Sequence, residues 1–165
     1  MTESPVERFS RRAFWFALLL IAVVFLAQAL FLARILVPSH DETSALFLAY
    51  MMASGQVRPF DDPVIGHRPF GPAYIFGATQ VLFGRSLLAA RLLGVAFGLV
   101  LVVLTALLAR RLGGSLCGLL AAALLTAQGA VVGYYALGDW HSLVPMLLVA
   151  ALLVWERDTP ARNVL

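Results

Sequence analysis

A chain of 165 residues that is 61% hydrophobic and only 13% charged is too apolar for a soluble globular domain. Its formal charge of +3 comes from scattered arginines, without the basic tract that would point to nucleic acid. A single cysteine, Cys117, excludes an internal disulfide, and its apolar surroundings make it an ordinary packing residue.

Arg8, Arg11 and Arg12 precede an apolar run over about 13–37. That run exceeds the roughly 7–15 residues of a signal-peptide core, so it reads as a retained anchor. Arg34 falls in its last turn, where a long side chain can snorkel to the far interface. The stretch "SHDETSALFLAY", residues 39–50, follows. Ser39 with Glu42 three residues on matches a capping box, which predicts a short helix over about 41–54. Asp41 and Glu42 sit in its positive first turn. The box needs only Ser39 and Glu42, which leaves Asp41 without a structural duty. A carboxylate held ionised at a helix N-terminus suits a base. Gly55 closes the helix as a C′ residue.

The loop "GQVRPFDDPVIGHRPFGP" carries Asp61, Asp62, His67 and Arg68, and the two aspartates before Pro63 read as a turn. The next apolar stretch, about 70–83, is short and is broken by Gly71, Pro72 and Gly77, so it is interfacial rather than spanning. Spans are predicted over about 87–109, 115–137 and 140–155, with Arg110 and Arg111 between the first two and Arg157 and Arg162 after the third.

Positive charge sets the orientation. The N-terminus, Arg110–Arg111 and the C-terminal arginines become cytoplasmic if the chain crosses four times. The predicted fold is therefore an all-α integral membrane protein. It has about four transmembrane helices, with a first extracytoplasmic loop carrying two short interfacial helices, and forms one unit over 1–165. Asp139, in "ALGDWHSL" at the mouth of the last span, then shares the outer face with Asp41, Glu42, His67 and Arg68. Asp139 fits a helix N-cap and a functional carboxylate equally well, and His141 reads as its polar neighbour. Arg85 and Arg91 also fall outside, against the charge rule, where they flank a surface suited to phosphate-bearing lipid.

The order and spacing of "DE", "SGQVRPFDDP", "HRPFGPAYIFGATQVLFGRSLLAARLLG" and "ALLARRLGG" resemble the GT-C glycosyltransferases. The resemblance is to the branch of protein O-mannosyltransferases and lipid A aminoarabinose transferases, and it covers roughly residues 10–157. It implies a sugar donor linked to a polyprenyl phosphate and a lipid, glycan or protein acceptor. It also implies a bacterial-type inner membrane with the active face outward. Asp41 matches the family's catalytic acidic residue, with Glu42 its neighbour, and Asp139 matches the second acidic residue. His67 stands where the family has a basic residue before proline. Here the sequence is His-Arg-Pro, so either His67 or Arg68 is the phosphate contact.

In the implied mechanism Asp41 takes the proton of the acceptor hydroxyl. His67, Arg68 and Arg91 steady the leaving lipid phosphate, and the anomeric centre inverts. Asp139 orients the acceptor or a divalent cation, for which Asp41, Glu42, His67 and Asp139 offer ligands. The resemblance covers the N-terminal third of such enzymes. That keeps two further readings open: a small non-catalytic membrane protein binding lipid phosphate or a partner subunit, and a truncated, inactive chain needing a completing polypeptide.

Overall fold

A computed structural model of the chain describes residues 5–58 and 70–158, and these are helical with no strand among them. The first helix, α1 (Pro5–Ile35), contains a stretch, Arg11–Ile35, long and apolar enough to cross a bilayer. It buries one stripe, Phe14, Leu18, Phe25, Ala29 and Ala33, at spacings that keep one face inward. Its other face exposes Phe16, Leu19, Leu20, Val23, Val24 and Phe31. A helix apolar all round needs an apolar solvent, which here is lipid.

Two short helices follow, α2 (His40–Ala53) and α3 (Phe70–Leu82), packed on each other. The start of α2 is fixed as the sequence predicts. Ser39 is the N-cap, and its hydroxyl accepts from the Glu42 amide at 3.0 Å. Gly55, at φ +73°, ends the helix in the left-handed conformation, its amide donating to Met52 O.

The long helix α4 (Leu87–Ala127) is capped by Ser86, whose hydroxyl accepts from the Ala89 amide at 3.2 Å. It is the second element long and apolar enough to cross a membrane. It is two arms joined at Gly113 and Gly114, the latter at φ +82°, where a side chain would be strained. The arms fold back on each other, so that Gly118 lies against the Ala106 carbonyl. The second arm does not run unbroken to residue 137 as expected. It stops at Gln128, and α5 (Gly129–Ala136) restarts it. The Gln128 carbonyl accepts from the Val131 and Val132 amides at 2.9 and 3.1 Å and so starts the new helix. A 3₁₀ turn (Trp140–Ser142) leads into α6 (Leu143–Asp158).

Among the described residues α1, the two arms of α4 (the second continued by α5) and α6 run along the bundle. At one end lie Phe14 under the Arg110 guanidinium (4.2 Å) and Arg111 bonded to the Leu153 carbonyl (2.9 Å). At the other lie the end of α1, α2, α3, the start of α4 and the 137–142 segment. The core between them is Phe14, Phe25, Val95, Val102, Val132 and Tyr135. Gly94 is needed at this second end, because a Cβ there would stand 2.6 Å from the Leu137 carbonyl.

Candidate active site

The second end of the bundle is organised by one buried ion pair. Glu42, in the first turn of α2, and Arg91, one turn into α4, are each 3% exposed. Arg91 Nε donates to Glu42 Oε1 at 2.8 Å, and Nη2 donates to Oε2 at 2.7 Å. The pair is bidentate, the strongest arrangement these groups make. Arg91 Nη1 also donates to the Ala33 and Leu36 carbonyls, both at 2.9 Å. Those are carbonyls that the end of α1 leaves without helical partners. The Gly138 amide donates to Glu42 Oε1 at 2.7 Å. One carboxylate and one guanidinium therefore tie α1, α2, α4 and the loop before α6 together.

Burial alone would push the Glu42 carboxyl up. The Arg91 hydrogen bond and charge, the Gly138 amide and a smaller contribution from the Ser39 amide outweigh it, so its pKa lies below the ordinary value. The Ser39 half of the capping box is formed, its hydroxyl accepting from the Glu42 amide, while the Glu42 carboxylate is turned to Arg91 and Gly138. Arg91 makes four hydrogen bonds with its five N–H donors, and its charge faces a carboxylate rather than open space.

Asp41 and Asp139 flank this knot. They are the chain neighbours of Glu42 and Gly138, whose contact brings the two segments together. Asp41 is exposed in the first turn of α2, and its carboxylate has no hydrogen-bond partner among the described residues. The Asp139 carboxylate is about one-third exposed and accepts from the His141 amide at 3.0 Å, as an N-cap does. The same oxygen lies 2.8 Å from His141 Nδ1. His67 and Arg68, like Asp61 and Asp62, lie outside the described residues. Among the described residues no three His, Cys, Asp or Glu side chains converge as a metal site would require.

Sequence reasoning singled out Glu42 and Arg91 separately but did not pair them. A signal was available, since an arginine one turn inside an apolar run must find a counter-charge.

Fold and site together define an all-helical membrane protein that carries carboxylates at one end of its bundle. The family model of the dolichyl-phosphate-mannose-protein mannosyltransferases matches residues 67–163, more than half of the chain. The chain belongs to that family, within the GT-C superfamily, and is a mannosyltransferase-like glycosyltransferase by class. The matched stretch includes His67, Arg68, Arg91 and Asp139, while Asp41 and Glu42 precede it. No curated protein and no solved structure matches the chain.

Proposed function

We propose that the chain forms the acidic wall of a transferase site that moves a sugar from a polyprenyl-phosphate donor to a lipid, glycan or protein hydroxyl. In this reading α1, the two arms of α4 (the second continued by α5) and α6 cross the membrane. The end bearing Asp41 and Asp139 faces outward, and α2 and α3 lie at the interface. The observation that carries the reading is the Gly138–Glu42 hydrogen bond, because it holds two carboxylate-bearing helix mouths side by side.

Asp41 is the general base. It is exposed, yet its backbone is fixed by the Ser39 cap and by its neighbour's ion pair. The acceptor oxygen attacks the anomeric carbon as its proton passes to Asp41. The bond to the lipid phosphate breaks on the opposite side, and configuration inverts. The leaving phosphate is a stable anion near neutral pH, so it needs cations rather than an acid. His67 and Arg68 serve it. Arg91 is assigned a positioning role, since its donors are engaged, and Glu42 shares that role. Asp139 orients the acceptor.

The test is Asp41→Asn, which keeps size and capping ability but removes basicity. Transfer from polyprenyl-phosphate mannose, assayed in membranes, should fall by about 10²–10⁴-fold with thermal unfolding unchanged. Undiminished transfer would remove Asp41 from the chemistry.

A further inference from the structure

A cavity of about 190 Å³ opens on the face of α2 that looks away from Asp41. One wall is the stripe Thr43, Phe47 and Tyr50 of α2, and the other is Gln80, Arg85 and Leu87. On a helix of 3.6 residues per turn Asp41 lies roughly 170–200° around from Thr43 and Tyr50, so this cavity is separate from the candidate transferase site.

The groups that line it differ in kind. The exposed Arg85 guanidinium stands over the Tyr50 ring at 4.5 Å, and no described residue offers it a carboxylate. Gln80 is 4% exposed, and its amide nitrogen donates to the Ser86 carbonyl at 3.0 Å, which leaves its side-chain oxygen available as an acceptor. The floor and lip are apolar, with Leu46 buried, Leu87 half-buried and Phe47 58% exposed. A fixed cation, a buried acceptor and an apolar ramp together match one molecule type. The cation suits a phosphodiester, the acceptor suits a hydroxyl, and the ramp suits an acyl chain.

We propose that this cavity binds the headgroup of an anionic, hydroxyl-bearing glycerophospholipid. Its phosphate sits on Arg85, a headgroup hydroxyl on Gln80, and an acyl chain along Phe47 and Leu87. The bound phosphate offsets an arginine that otherwise stands on the wrong side of the membrane for its charge. The inference rests on the membrane reading of the fold but not on the role of Asp41.

The purified protein, supplied with phosphatidylglycerol and phosphatidylcholine of matched chains, is examined by native mass spectrometry. It should retain phosphatidylglycerol about tenfold over phosphatidylcholine, and Arg85→Ala should bring that ratio to within about twofold. Arg34→Ala removes another exposed arginine from the same end and should leave the ratio unchanged, as should Asp41→Asn. Arg85→Lys guards against misfolding: it keeps the charge and should keep most of the preference. Equal losses in Arg34→Ala and Arg85→Ala would reduce the effect to diffuse surface charge and overturn the site. So would an Arg85→Lys protein that unfolds like wild type yet has lost the preference. Displacement of the lipid by inorganic phosphate alone would show that the ligand is the free anion and overturn the lipid assignment.

Discussion

Glu42→Gln removes one charge from the knot at the end of the bundle while keeping its shape. The new amide oxygen can still accept from Gly138 and from Arg91 Nε. The new NH₂ group, however, takes the position of Oε2 and meets Arg91 Nη2, turning a 2.7 Å ion pair into two opposed donors. Arg91, 3% exposed, keeps a charge with no counterpart. Removing one partner of a buried pair costs about 3–5 kcal/mol. At roughly 2–4 °C per kcal/mol for a chain of this size, the unfolding midpoint should drop by about 6–20 °C. Adding Arg91→Met removes the stranded charge and should recover part of the loss, although the Ala33 and Leu36 carbonyls then lack their donor. Thermal unfolding of the wild type, both single variants and the double variant in one detergent closes the cycle. A Glu42→Gln protein within about 1 kcal/mol of wild type, or losses that simply add in the double variant, would refute the argument.

The same carboxylate gives a pH dependence. Its folded pKa lies below the ordinary 4.5, so its stabilisation is complete above that value and disappears as pH falls through the folded one. Acid titration of the unfolding midpoint should show this loss in the wild type and a flatter profile in Glu42→Gln. Gly114→Ala forces a side chain into a φ of +82° and should destabilise by about 1–2 kcal/mol. Gly133→Ala, in a helix with open space around it, should be neutral or stabilise by up to about 1 kcal/mol, and the two are compared by denaturant titration. Gly94→Ala pushes on the Leu137 carbonyl and so displaces Asp139. Transfer should fall more steeply than stability, and equal falls would argue against that route. In a Cys117→Ala background, a cysteine at Gln56 should react with an impermeant maleimide from outside, and one at Leu112, exposed at the opposite end, should not. The reverse pattern would invert the proposed orientation.

The local features of this fold were legible because each is written in a few adjacent residues. Apolar run lengths predict α1 and the first arm of α4, Ser39 predicts the start of α2, and Gly55 its end. The turn at Gly113–Gly114 follows Arg110 and Arg111, where the charge pattern requires a return. The break at Gln128 was not legible, because Gln and Gly inside a long apolar run are tolerated by many unbroken helices. Nor was the knot, which joins positions 49 and 96 residues apart in sequence. No periodicity carries such a pairing. Asp41 and Asp139 stood out because ionisable groups beside long apolar runs are uncommon, but that Glu42 sets their spacing is visible only in three dimensions.

That separation orders events during synthesis. Glu42 emerges well before Arg91, and the Gly138 amide that completes its bonding comes later still. At about 5–20 residues per second the carboxylate waits roughly 2–10 s for its counter-ion and roughly 5–20 s for the last donor. For that interval α2 can neither sink into lipid with a bare charge nor lock against the bundle, so it remains hydrated beside the growing chain. Once residue 138 has been delivered, the guanidinium and the amide withdraw Glu42 from water together. Closing the knot is thus a late assembly step, and Asp41 and Asp139 come side by side only once it has closed.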